Sequence, residues 1–177
     1  MITIRPLTKA DAESYREIRL EMLESAPEAF SSDYEQNKRS SLRDFANRIQ
    51  TDEDNFIIGA FVNSKMVGTG GFYRESSRKL RHRGHVWGVF VKQEERGQGI
   101  ARKICQELIA RVGRVDGLEQ IHIAVTSTNQ AAKRLYESMG FVAYGKAPKA
   151  LKIEDKYHDE DLMVLFLDEA RGPGSGP

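Results

Sequence analysis

The chain has 177 residues, 40% of them hydrophobic and 30% charged, which suits one domain with its own apolar core and excludes a chain disordered throughout. Lys and Arg number 27 against 26 Asp and Glu, a net charge of +1, so no global field draws it to nucleic acid or to an anionic membrane. Cys105 is the lone cysteine, which excludes an intramolecular disulfide or a cysteine-based metal cluster; no leader-like start and no apolar run of ~18 residues is present, so the expectation is a cytoplasmic protein.

Residues 2–5 alternate apolar and polar before Pro6, a short strand closed by a residue without an N–H. Thr8 and Asp11 form a capping-box pair, and Tyr15, Ile18 and Met22 recur at i, i+3 and i+7, so a helix is expected over 9–25. Residues 27–40 have no sustained period and read as a polar connection containing Phe30 and Tyr34. Ser41 and Asp44 repeat the capping box before a second helix reaching about residue 50.

Residues 56–62 and 66–73 flank Asn63-Ser64-Lys65 as a hairpin whose second strand is rich in glycine. A charged connection, 74–83, leads to an aromatic and β-branched strand at 85–91. Ile100, Ile104, Leu108 and Val112 recur every four positions, a helix that Gly113 can stop. Residues 120–125 form a buried strand; Asn129 can cap a helix bearing Ala132, Leu135, Tyr136 and Met139, which Gly140 ends. Strands at 141–145 and 162–167 follow, joined by the charged segment 149–161. The order is βααβββαβαββ, an α/β fold in one domain over 1–168, with a flexible Gly/Pro/Ser tail at 169–177.

Chemistry concentrates where the 85–91 strand meets the following helix. Gly97 and Gly99 remove side chains just before a helix start, where free N–H groups and the dipole favour an anion such as a phosphate or pyrophosphate. The segment lacks the Gly-Lys-Ser/Thr of a triphosphate loop and the third glycine of a dinucleotide fingerprint, and a plain glycine connection fits the same residues. Arg96-Gly97-Gln98-Gly99-Ile100-Ala101 resembles the Arg/Gln-x-x-Gly-x-Gly/Ala signature of the GNAT superfamily, the acyl-CoA-dependent N-acyltransferases. Asn129 to Phe141 is similar to that family's second motif, Asn-x-x-Ala-x-x-Leu-Tyr-x-x-x-Gly-Phe, at every defined position.

The resemblance covers residues 2–167 and implies a mixed, mostly antiparallel central sheet flanked by helices. It implies transfer of an acetyl group from acetyl-CoA to a primary amine by direct attack in a ternary complex, with no metal. Val89 and Val91 would pair their backbone with the pantetheine arm; Arg96, Gly97, Gln98, Gly99, Ile100, Ala101 and Arg102 would cradle the pyrophosphate; Asn129 would reach the pantetheine. Tyr136 would donate a proton to the departing thiolate, although its place on an apolar stripe also suits a core tyrosine. Relatives place a glutamate on the central strand, and this strand has none. His85 shares strand parity with Trp87 and Val89 and is a candidate base, or a structural histidine.

The resemblance makes Phe30, Tyr34, Tyr73, Trp87 and Tyr157 candidate acceptor contacts, although aromatics at such places more often serve ordinary packing. Cys105 reads as a small apolar residue, and His158 among its acidic neighbours as part of a solvated turn. The expected partner is a small-molecule or peptide amine, with no nucleic acid and no membrane; a homodimer is left open. Two other readings use the same residues: a catalytically silent acyl-CoA-binding module, and a nucleotide-binding domain relying on Gly97 and Gly99 alone.

Overall fold

The computed structural model describes residues 1–167; the expected tail lies outside them. Its elements are β1 (Ile2–Pro6), α1 (Ala12–Ser25), α2 (Tyr34–Arg39), α3 (Leu42–Arg48), β2 (Asn55–Val62), β3 (Lys65–Arg74), β4 (Arg83–Val91), α4 (Ile100–Val112), β5 (Gln120–Thr126), α5 (Gln130–Glu137), β6 (Val142–Ile153) and β7 (Lys156–Phe166). The seven strands form one sheet in the order β1-β2-β3-β4-β5-β7-β6, antiparallel except between β4 and β5.

Both capping boxes are present. The first closes a 3₁₀ turn, Lys9–Asp11, so α1 starts three residues later than its apolar period suggests, and Asp11 also holds Arg5 at 2.7 and 2.9 Å. Tyr15, Ile18 and Met22 bury their stripe with Leu7, Phe45 and Ile57 on one face of the sheet. On the other face, Ile104, Leu108 and Val112 of α4 pack with Ile58, Phe72, Ile121 and Tyr136. The glycines of β3 serve this packing: a Cβ on Gly70 would come within 2.8 Å of Ile104, and one on Gly71 within 2.3 Å of Trp87.

Two expectations are corrected. Residues 27–40 are not a plain connection: a 3₁₀ turn spans Pro27–Ala29, and α2 follows, capped by Asp33 Oδ1 accepting from the Gln36 amide at 2.8 Å. Its six residues are too few to display a helical stripe. Residues 149–161 are not a connection either, but the facing arms of β6 and β7, turning at Glu154 with φ 53°. β6 is largely exposed, so no alternation of apolar residues marks it.

Candidate active site

The site begins with a failure of pairing. β4 and β5 run side by side only from Arg83 to His85, opposite Gln120 to His122. Two residues beyond His85's neighbour Val86, Gly88 adopts φ 61°, and the β3–β4 register shifts between Thr69 and Gly71. The strands diverge, and the edge of β4 from Val86 to Val91 has backbone groups with no β5 partner. The turn at Pro27–Ala29 is tied across the gap, since Thr126 Oγ1 donates to the Glu28 carbonyl.

Two cavities meet in the gap. One, of about 670 Å³, lies between β4, the start of α4 and α5, and is lined by Val89, Val91, Arg96, Ala101, Asn129 and Leu135 among others. The other, of about 550 Å³, is bounded by Arg19, Ser32, Tyr73, His85, Trp87 and Glu160 among others. Phe30, Val89, Asn129 and Tyr136 line both.

Tyr136 is 5% exposed, and its burial holds the phenol well above its ordinary value, the nearby Cys105 adding to the effect. Among the described residues its hydroxyl has no hydrogen-bond partner, and no polar side-chain atom is buried without one, so the hydroxyl opens into the gap. A proton is therefore held at the junction of the two cavities at neutral pH.

Beyond the end of β4, Gly97 and Gly99 have φ of 80° and 73°, which a Cβ would strain, and a Cβ at either would meet nothing within 4 Å. The Lys103 amide finds its helical acceptor in the Gly99 carbonyl at 3.1 Å; the amides of the turn before it form the usual unsatisfied helix start. The side chains of this loop are committed elsewhere. Arg96 Nε donates to the Val91 carbonyl at 3.0 Å, Gln98 to Glu95 at 2.9 Å, and Arg102 to Ser138 Oγ at 2.9 Å, while Ile100 is buried. What the loop offers a ligand is backbone N–H groups, which suit an anion such as a phosphate or pyrophosphate.

The sequence model of the acetyltransferase (GNAT) family matches residues 16–141. The chain belongs to that family. It is 32% identical over 83 residues to an L-methionine sulfoximine/L-methionine sulfone acetyltransferase of Pseudomonas paraeruginosa, a match covering 47% of this chain and 48% of that one. The chain thus spans about half the length of the curated relatives it matches. A GNAT acetyltransferase structure from Streptococcus pneumoniae superposes with a TM-score of 0.81 at 23% identity, over 94% of this chain and 99% of that one. The Salmonella typhimurium protein yncA, solved with its cofactor acetyl-CoA, gives a TM-score of 0.77 at 25% identity, over 99% of both chains.

Within this GNAT fold, the residues expected at the site divide. Phe30, Tyr73 and Trp87 line the second cavity with His85. Tyr34 does not; it packs against the helical core beside Lys38. Tyr157 sits on the β6–β7 hairpin, 53% exposed, beneath Lys149 and Lys152. Asn129 gives its Oδ1 to the Ala132 amide at 3.1 Å as the cap of α5, leaving its Nδ2 donors free among the described residues. Cys105 is 3% exposed, and burial pushes its thiol up to about 12, a packed residue as expected. His85 stacks on Tyr73 at 4.8 Å and holds its Nε2 2.8 Å from Glu75 Oε1.

Two residues at the site were not among those expected. Glu160 of β7 lines the second cavity; burial raises its carboxyl above the ordinary range, and it has no hydrogen-bond partner among the described side chains. It stands in a charged run without periodicity, so nothing marks it. Arg19 was legible: it stands four residues after Tyr15 and one after Ile18, a charge on the buried side of α1.

Proposed function

We propose that the chain transfers an acetyl group from acetyl-CoA to a primary amine, which attacks the thioester directly. The observation that carries this is the Tyr136 hydroxyl, unpartnered at the junction of two cavities beside the unpaired edge of β4. Acetyl-CoA supplies the activated acetyl group. The amides of residues 97–102 hold its pyrophosphate, and the open edge of β4 at Val89 and Val91 pairs with the pantetheine. Backbone N–H groups along that same edge face the gap and can hold a developing oxyanion. Tyr136, kept protonated by burial, donates to the leaving sulfur.

Amines near pKa 10 arrive as ammonium ions, so a proton acceptor is needed. Glu160 takes that role in preference to His85. The Glu160 carboxyl is unengaged and made more basic by burial, whereas His85 Nε2 is already paired with Glu75. No helix is long and apolar enough to cross a membrane, and a cytoplasmic setting is part of this reading. An amine acceptor is supported by the relative named above, whose named substrates carry a primary amine.

The test is thiol release from acetyl-CoA with purified full-length chain against a broad amine panel, with acetyl-CoA binding followed by calorimetry. Acceptor-dependent thiol release is expected. Binding without release on any amine would favour the silent acyl-CoA-binding module.

A further inference from the structure

The second cavity carries a positive charge that the fold does not use. Arg19 reaches from α1 to the bend of β4. One of its N–H groups, on Nη2, donates to Ser32 Oγ at 2.7 Å. The guanidinium lies 5.3 Å from the centre of the Trp87 ring, and its Nη1 occupies space that a side chain at Gly88 would enter, a Cβ there lying 3.2 Å away. A guanidinium has five N–H donors, and the described residues engage one.

Among the described residues no carboxylate pairs with Arg19. The other arginine near this region, Arg48, opens on an adjoining cavity with Arg19 but is spent on Asn37 Oδ1 at 2.9 Å, Ser40 Oγ at 2.8 Å and the face of Phe45. Burial first of all disfavours the charge on Arg19, Tyr15 nearby favours it and Arg48 opposes it, and the balance is a lowered pKa, so the charge bears a cost in this place beside its one hydrogen bond to Ser32. Hydrophobic or neutral polar residues would fill the same volume at less cost.

Building on the acetyl-transfer reading, we infer that Arg19, with Ser32 beside it, binds a carboxylate on the acceptor, so that the substrate class is the small amino acids and their close analogues. The hydroxyl of Ser32 accepts from Arg19 and has its own O–H left to donate to a second carboxylate oxygen. Arg19 packs on Gly88, within the unpaired edge of β4 that runs from Val86 to Val91, so a carboxylate held by Arg19 stands beside that edge and a short acceptor brings its amine there. Glu160, on the same cavity, is then left to face the ammonium end.

The test compares kcat/KM of the full chain with acetyl-CoA for L-α-amino acids, their α-amides and the corresponding decarboxylated amines. Wild type is expected to favour the free acids by about 10–100-fold, through KM more than kcat, in line with a charge-assisted bidentate contact. Arg19→Gln is expected to abolish that preference, its loss falling on the free acids far more than on the amides, and Arg19→Lys to restore part of it. Equal use of acids and amides by wild type, or equal loss on every acceptor in Arg19→Gln with an unchanged melting temperature, overturns the proposal. If no amine is turned over, the acetyl-transfer reading fails on its own, and calorimetric titration with N-acetyl amino acids and their amides decides this one. Carboxylate-dependent binding lost in Arg19→Gln supports it, and its absence overturns it.

Discussion

Tyr136 and Phe141 meet edge to face, with ring centroids 5.7 Å apart at 64°, and the Phe141 amide donates to the Tyr136 carbonyl at 3.1 Å. Gly140 between them turns the chain with φ 95°. The end of α5 thus folds back on itself and fixes the phenol ring, so that only the hydroxyl is free to act. Tyr136→Phe keeps the ring and its packing. It is expected to lower kcat by about 10²-fold, the scale of a lost general acid, while acetyl-CoA binding by calorimetry stays unchanged. A kcat within twofold of wild type would remove Tyr136 from the proton path.

Glu160 and His85 can be separated by pH. Ammonium acceptors demand a base, and the acid limb of kcat/KM reports its titration in the free enzyme. Since burial raises Glu160, that limb is expected above the ordinary carboxylate range, and the rate falls as pH drops through it. Glu160→Gln is expected to remove the limb and lower kcat/KM by at least about 10²-fold. His85→Gln, which breaks the contact with Glu75, is expected to leave the limb in place. An unchanged limb in Glu160→Gln and a lost one in His85→Gln would reverse the assignment.

The glycine loop proposed to hold the pyrophosphate can be tested by substitution. At φ 80° and 73°, Gly97 and Gly99 sit where an L side chain costs about 1–2 kcal/mol. A methyl there meets no protein atom within 4 Å and stands in open space, where a pyrophosphate held by the loop amides would meet it. Gly99→Ala is therefore expected to weaken acetyl-CoA binding about tenfold or more, beyond any fall in melting temperature. Retained affinity in a folded Gly99→Ala protein would place the pyrophosphate elsewhere.

What the sequence made legible follows from which features are periodic or local. α1 and α4 announce themselves because one face is buried over three or more turns, and the two capping boxes because they need only a residue pair three apart. The glycine loop before α4 and the place of Tyr136 on α5 were legible because their motifs are contiguous. α2 is too short to show a stripe, and β6 too exposed to alternate. The second cavity draws Arg19 from α1, Tyr73 from β3, residues 85–89 from β4, residues 123–126 from β5 and Glu160 from β7, joined only by tertiary packing. The family resemblance therefore brought forward Tyr34 and Tyr157, aromatics in the segments it implies that do not line this cavity, and passed over Glu160.

His122 offers a check on the sheet beneath the site. Its Nε2 lies 3.2 Å from Arg83 Nε and 3.1 Å from Gln120 Oε1, and its Nδ1 lies 3.2 Å from the Tyr144 hydroxyl. Burial first, and then the charge of Arg83, hold its pKa down at about 4. In the unfolded chain the ring titrates near 6.5, so between about pH 6.5 and 4 the unfolded state takes up a proton that the folded state refuses. The stability this neutral ring contributes is whole above pH 6.5 and is lost as pH falls through that window. His122→Gln should thus show a flatter melting temperature between pH 7 and 5 than wild type, a difference in which the opposing titration of Glu160, common to both proteins, cancels. The acid limb below pH 4 should survive in both, because Asp11, held near 2 by Arg5, loses its proton-free form only there. Parallel curves from pH 7 to 5 would mean that His122 titrates alike in the folded and unfolded chain.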